Sequence, residues 1–412
     1  MKACIRRGAG QVGGSLVEVE AGGRRIVLDA GLPLDPASSP SEELLPDVPG
    51  LWADGDGSLL AVFVTHGHAD HHGLADLVTP GVPIYMGEAA SAILNEAAFF
   101  VPSARAPAVA GTLRHRRPVI LGPFTVTPWL VDHSGFDAYA LLFEADGRRP
   151  LYTGDIRAHG RKHRTLEALA HGAGNVDALL MEGTQLSHAG GGARPLSEAE
   201  LETDCMNEIQ MTSGMALAFF SPQNVDRLVT LFKAARRARR TFVMDLYAAS
   251  IAEATGRDTI PRPSWDGVRV YLPRSQKRQV VEHKAFRRAE AVREHREELA
   301  DRPESIVMAC RGSMLSELAA AGCLARAAAI WSMWPGYLER PSGARTKAEL
   351  KRLGIPLSVH HTSGHASVGD LCHFASTVEA DRLVPIHTDA PERFAQRFGN
   401  TELHPNNEWW AV

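Results

Sequence analysis

The chain has 412 residues, room for more than one domain, and its 44% hydrophobic and 22% charged content is ordinary for a globular enzyme. A net charge of −4 excludes a wholly basic nucleic-acid binder, so any such contact must use a local patch. Five cysteines with no C-x-x-C pair exclude a disulfide framework and a cysteine-only zinc site, while no signal-like start and no run of about eighteen apolar residues leave a cytoplasmic, non-membrane protein as the expectation.

The first third predicts strands joined by tight turns. "GSLVEVEAGGRRIVLDAG" alternates apolar and polar residues on both sides of Gly22-Gly23, the pattern of a hairpin. "LLAVFVTH" is a continuous apolar run ending at His66, as expected of a buried strand. "FTVTPWLVDHS", "AYALLFEADGRRPLYTGD" and "VDALLMEGT" repeat the theme and stop at His133, Asp155 and Glu182. Strand ends carrying such residues suggest one face on which they converge.

From about Leu196 the pattern alternates helix and strand. "LSEAELETDCMNEIQMTSG" is helical with Ser197 as N-cap, "MALAFF" is a strand, "NVDRLVTLFKAARRARR" a helix and "TFVMDL" a strand. "SQKRQVVEHKAFRRAEAVREHREELA" is expected to form one long polar helix, and "ESIVMA" and "AAAIWSM" are strands around the helical "SMLSELAAAG". Alternation of this kind predicts a parallel α/β sheet. The arginine-rich "KAARRARR" and "FRRAEAVREHREE" are expected to be solvated helix faces. Because residues of metal-ligand type resume after Leu357, the α/β segment reads as an insertion, giving a first domain over 1–195 and 354–412 and an inserted one over 196–353.

Two histidine-rich stretches carry the chemistry. In "VTHGHADHHG", H-x-H-x-D-H after a strand lets His66 and His68 bind one metal while Asp70 and His71 face a second. Imidazole with carboxylate suits Zn²⁺, or Mn²⁺ if oxygen predominates. Such a site still needs a third histidine and a bridging carboxylate, and His133 and Asp155 sit at strand ends of the right kind. His72 has no assigned role and is expected to be structural. In "VHHTSGHAS", Gly364 is expected to take an unusual backbone angle that aims consecutive N–H groups at an anion. Ser367 and Asp370 form a capping-box-like start to the helix "VGDLCHFAST", and a helix N-terminus beside a Ser/Gly loop favours phosphate. His361, Ser363, Gly364 and Ser367 are therefore candidate phosphate-binding residues.

"THGHADHHG", "VDHS" and "YTGD", preceded by "LDAG", resemble the metallo-β-lactamase superfamily, and "LLMEGT", "HTSGHAS" and "VPIHTD" resemble its β-CASP nuclease family. "SPQNVDRLVTLFKAARRARRTFVMD", "WSMWPG" and above all "HTSGHAS" are similar to the ribonuclease J branch, without that branch's C-terminal domain. The resemblance implies an αββα sandwich with an inserted Rossmann-like α/β domain closing over the metal face. It implies two divalent ions, Zn²⁺ first with Mn²⁺ or Mg²⁺ as alternatives: one on His66, His68 and His133, the other on Asp70, His71 and His387, with Asp155 bridging. His365, Glu182 and Asp70 make up the implied catalytic group, Glu182 orienting His365, and Asp29 supports the metal loop or a ligand imidazole from behind. The third motif departs from the family, with Thr388-Asp389 after His387 where Gly-Glu is usual. The implied activity is hydrolysis of single-stranded RNA, 5′-to-3′ from an end, internally, or both, by a chain compatible with a homodimer. The same fold acting on DNA or on a small phosphodiester or ester is one alternative, and a non-catalytic nucleic-acid-binding module is another.

Overall fold

A computed structural model describes residues 1–36, 44–187 and 194–412. In chain order the strands are β1 (Lys2–Arg7), β2 (Leu16–Ala21), β3 (Arg24–Leu28), β4 (Leu59–Phe63), β5 (Ile84–Gly87), β6 (Val109–Leu113), β7 (Val119–Leu121), β8 (Phe124–Leu130), β9 (Tyr139–Glu144), β10 (Leu151–Tyr152), β11 (Ala178–Glu182), β12 (Ala216–Phe219), β13 (Thr241–Asp245), β14 (Val268–Tyr271), β15 (Ile306–Ala309), β16 (Ala328–Trp331), β17 (Leu357–Val359), β18 (Arg382–Ile386) and β19 (Trp409–Ala411). The helices used below are α1 (Ala69–His72), α2 (Glu88–Phe100), α3 (Arg164–Gly172), α4 (Glu198–Met211), α5 (Val225–Arg237), α6 (Leu246–Ala254), α7 (Arg274–Glu282), α8 (Arg296–Asp301), α9 (Leu315–Ala320), α10 (Pro341–Arg352) and α11 (Val368–Val378).

The chain forms two compact units, one of residues 1–95, 104–195 and 364–412, the other of 96–103 and 196–363. In the first, one sheet runs β19-β1-β2-β3-β4-β5-β6 and another β18-β11-β10-β9-β8-β7. The Gly22-Gly23 hairpin forms, with both glycines at positive φ. Alternation along the strands sends one set of side chains between the sheets, where Ile5, Ile26, Phe63, Phe124, Phe143 and Leu180 are fully buried. The opposite set of the first sheet packs on α2 through Val62, Val64 and Leu94. That of the second packs on α3 and α11 through Leu142, Leu179, Leu169 and Phe374. The result is a helix–sheet–sheet–helix sandwich, held by buried apolar area on both faces of each sheet.

The strands that deliver the site share a direction. β10, β11 and β18 are parallel, and β8 runs the same way because β9 is antiparallel to both β8 and β10. Their C-terminal ends therefore lie along one edge, where the chain continues into His133, Asp155, Glu182 and His387.

The second unit is an all-parallel sheet in the order β14-β13-β15-β12-β16-β17. Ser197 caps α4 in a full capping box with Glu200. Two expectations need correction. The inserted segment extends past Leu353 to Ser363, because β17 pairs with β16 (Ala329 beside Leu357) and completes the sheet. It also takes in residues 96–103, through the Phe100–Tyr247 ring contact and the bond from Gln279 Nε2 to the Phe100 carbonyl (3.0 Å). The long polar helix is broken into α7, a 3-10 turn over Phe286–Ala291, and α8. Lys284 takes a left-handed φ of 52° after α7, and Glu294, buried against Arg302, bridges to Tyr271 in extended backbone. With few apolar residues on its faces, that segment follows local caps and the sheet edge rather than one continuous helix.

Candidate metal centre

His66 follows β4, and the short α1 turns the backbone so that His68, Asp70 and His71 leave the same loop. Gly31 makes this approach possible, since a Cβ there would land on the Asp70 carbonyl. The structure brings together His66, His68, His133 and Asp155 in one group able to hold a metal ion, Asp70, His71 and His387 in a second, and Asp155, Glu182 and His365 in a third.

Asp155 divides its two oxygens between the first two groups. Oδ2 lies 3.6 Å from Nε2 of both His66 and His133, while Oδ1 lies 3.2 Å from His71 Nε2 and 3.9 Å from His387 Nδ1. Both oxygens, with Nε2 of His66, His71 and His387, are buried and have no hydrogen-bond partner among the described residues. Leaving that many buried polar atoms unsatisfied is costly, and a cation set among them removes the cost. The donor set is three imidazoles and a carboxylate on one side, two imidazoles and two carboxylates on the other when Asp155 is shared. It fits divalent ions of the Zn²⁺ or Mn²⁺ kind.

The backs of the imidazoles are fixed. Nδ1 of His66 meets Thr65 Oγ1 (3.0 Å), Nδ1 of His71 meets Asp29 Oδ2 (2.7 Å), Nδ1 of His133 donates to the Gly364 carbonyl (2.6 Å), and Nδ1 of His387 meets Ser15 Oγ (2.8 Å). Such bonds fix the rings so that Nε2 of His66, His71 and His133 faces the metal position, although burial of His71 is outweighed by the Asp155 and Asp29 carboxylates, which hold it well above the usual histidine range. His68 differs, its Nδ1 lying 3.0 Å from His133 Nε2. Asp29, at a left-handed φ of 59°, also accepts from the Thr65 amide, the Thr65 hydroxyl and the Tyr152 hydroxyl (2.7 Å). Burial, with neighbouring imidazoles, holds His66 and His133 well below the usual histidine range and so neutral. Burial alone would raise Asp155, yet the facing imidazoles of His387, His71 and His365 hold it well below the usual carboxylate range.

His365 lies beside this centre, its Nδ1 3.2 Å from both Glu182 oxygens. Burial opposes its charge, but the Glu182 and Asp155 carboxylates outweigh burial and push its pKa up to about 9. Glu182 is held in turn by the amides of Ile156 and Thr184 (both 3.2 Å). His72 is buried, and burial pushes its pKa down to about 4, as suits a packing role.

The anion loop departs from expectation at Gly364 and matches it at the cap. Gly364 has no positive φ; a Cβ there would come 2.5 Å from Ser134 Oγ, so the loop packs closely on Ser134 beside His133. Ser367 caps α11, its hydroxyl donating to Asp370 Oδ2 (2.7 Å) and accepting from the Asp370 amide (3.1 Å). Its one hydroxyl proton is therefore engaged within the chain. His361 and Ser363 belong to the second compact unit and to none of the three ligand groups.

Sequence reasoning assigned no part to Ser15, Thr65, Tyr152, Asp132 or Arg157. Asp132 and Arg157 form a fully buried pair (3.0 Å), and Asp132 Oδ2 also takes the Lys162 amide (3.1 Å), bracing the loops that carry His133 and Asp155. For Thr65 and Asp132 the local signal was a hydroxyl or charged residue directly before a presumed ligand, in Thr65-His66 and Asp132-His133.

A family model described as "Beta-lactamase superfamily domain" matches residues 24–230. The chain is 26% identical over 237 residues to a protein named Ribonuclease J from Mycobacterium tuberculosis strain H37Rv, covering 55% of this chain and 41% of that one. It is 29% identical over 133 residues to a Ribonuclease J from Sinorhizobium meliloti, covering 32% and 23%. The chain thus spans less than half the length of these curated relatives. Among solved structures, a protein of unknown function from Enterococcus faecalis V583 superimposes with a TM-score of 0.80 at 22% identity, covering 100% of this chain and 99% of that one, a likeness of fold.

Proposed function

The chain belongs to the metallo-β-lactamase superfamily, and from this we propose that it is a ribonuclease, using two divalent ions to hydrolyse phosphodiester bonds of single-stranded RNA in the cytoplasm. The observation that carries the reading is the His365–Glu182 pair set against the divided carboxylate of Asp155. A hydrolase needing only activated water requires the ligands alone; an imidazole held by a carboxylate beside them supplies a proton to a poor leaving group. The names of the partial relatives favour RNA over other phosphodiesters.

The residues divide the work. His66, His68 and His133 hold one ion, Asp70, His71 and His387 the other, and Asp155 lies between the sets. When bound, the ions supply positive charge for the phosphate and make the attacking water more acidic. Thr65, Asp29, Gly364 and Ser15 keep the imidazoles in one orientation, so little reorganisation is left for the reaction. Glu182 keeps Nδ1 of His365 protonated, and the opposite ring nitrogen gives its proton to the departing 3′ oxygen as the P–O bond breaks. Asp70 closes the second set and faces the reacting phosphate. The Gly364 loop and the N-terminal turn of α11 hold a neighbouring phosphate by their backbone, with His361 and Ser363 preceding them.

Attack proceeds from a 5′-monophosphorylated end and releases mononucleotides. The test is a time course with Zn²⁺ or Mn²⁺ on RNA labelled at the 5′ end, with triphosphate, hydroxyl, circular and DNA controls. Early label in mononucleotides supports the reading. Early label in long fragments with circular RNA cut equally fast shows internal cleavage, DNA cut in preference moves the activity to the rival substrate, and no turnover with both ions bound leaves a binding module.

A further inference from the structure

The second unit has a cavity of about 360 Å³, within the range of small-molecule sites. It lies at the switch point of the parallel sheet. β12 and β15 are neighbours, but the helices that follow them lie on opposite faces. Phe232 of α5, after β12, packs its ring on Phe242 of β13. The next residue, Val243, points the other way into a cluster with Leu315 and Leu318 of α9, after β15. The connections leaving β12 and β15 therefore turn to opposite faces of the sheet, and the cavity lies between them at the carboxyl ends of the strands, the usual ligand position in open parallel sheets. The cavity is lined by Ser221 and Gln223 just past β12 and by Cys310 and Arg311 just past β15.

Arg311 gives the crevice its chemistry. Its Nε donates to Asp245 Oδ2, and its guanidinium lies 4.6 Å over the Tyr247 ring. The Nη groups form no hydrogen bond to any described residue, and the side chain is 31% exposed. Asp245 caps α6 at Ala248 (2.8 Å) and accepts from Gln276 Nε2 (2.6 Å), so the guanidinium is held rigidly from behind. A fixed fork whose two Nη groups have no hydrogen-bond partner among the described residues suits a carboxylate or phosphate. Beside it Phe219 and Trp331, stacked at 6.1 Å, and Met333 form an apolar wall suited to a planar ring.

We propose that this crevice binds a nucleoside monophosphate, its phosphate on Arg311 and its base against the Trp331 wall. All the residues involved belong to the second unit, apart from the metal ligands, and the inference stands whether or not the chain cleaves RNA. The test uses the full chain, with metal and with chelator, photolabelled by 8-azidoadenosine monophosphate. Label on peptides containing Tyr247 or Trp331 to Met333, competed by adenosine monophosphate and indifferent to metal, is expected. Arg311→Lys, which breaks the fork, and Ser342→Trp, which fills the mouth from an exposed position, should each weaken adenosine monophosphate binding about tenfold or more in calorimetry. The second variant leaves Asp245 untouched and guards against misfolding of the first. Label confined to peptides of Val64–Gly73 or Val359–Ser367, no label at all, or affinity unchanged in both variants overturns the proposal.

Discussion

At the scale of single residues, the proposed chemistry separates groups that would hold metal from one that would give a proton. His68→Ala takes one ligand from the first set, and Asp155→Asn weakens both sets, because each carboxylate oxygen faces a different one. Both variants should lose bound metal in elemental analysis, and turnover with it. His365→Ala should keep its metal and lose about 10²–10⁴-fold in rate, the usual worth of a general acid. The reverse pattern of metal loss would exchange these roles. Ser367→Ala tests whether the serine hydroxyl serves the helix cap or a phosphate. With the hydroxyl committed to the α11 cap, the change should cost about 1 kcal/mol in denaturant unfolding and leave the choice of RNA end alone. A lost preference for 5′-monophosphate at unchanged stability would return Ser367 to phosphate contact. The candidate ligands His66, His68, Asp70 and His71 were legible because H-x-H-x-D-H fixes spacing within a loop, whereas Ser15, just before β2, and Tyr152 in β10 carry no local mark.

At the scale of elements, the strands were legible where apolar residues ran without interruption, as in β4 and β11, and where Gly22-Gly23 forced a hairpin. The segment Arg274–Asp301 was not legible as two helices and a turn. Its charged residues suit a helix throughout, and the break depends on where Val280 and Leu299 find cover. Lys284 occupies the left-handed position just after α7, where a side chain is strained and glycine is not. Lys284→Gly should therefore raise stability by up to about 1 kcal/mol, measured by urea unfolding. A loss of stability would mean that the lysine side chain repays the strain through contacts of its own.

At the scale of the whole molecule, every residue of the three ligand groups belongs to the first compact unit. Binding of metal to the native state stabilises it by mass action, about 2.7 kcal/mol at a hundredfold excess over Kd. Chelation should accordingly speed amide hydrogen exchange in β11 and β18 while β12 and β15 keep their protection. Equal acceleration in both sheets would mean that the units unfold as one. The sequence by itself determined the strand-rich first third, the inserted parallel sheet and the H-x-H-x-D-H candidates, because hydrophobic period and motif spacing are local properties of the chain; the sandwich and the remaining candidates came from its resemblance to the superfamily. Only the tertiary structure decided that Asp155 turns one oxygen to each histidine set, that Gly364 packs closely on Ser134 without a positive φ, and that residues 354–363 complete the inserted sheet. Each depends on segments distant in the chain being packed against one another, and the free energy of that packing is written in no single stretch of residues.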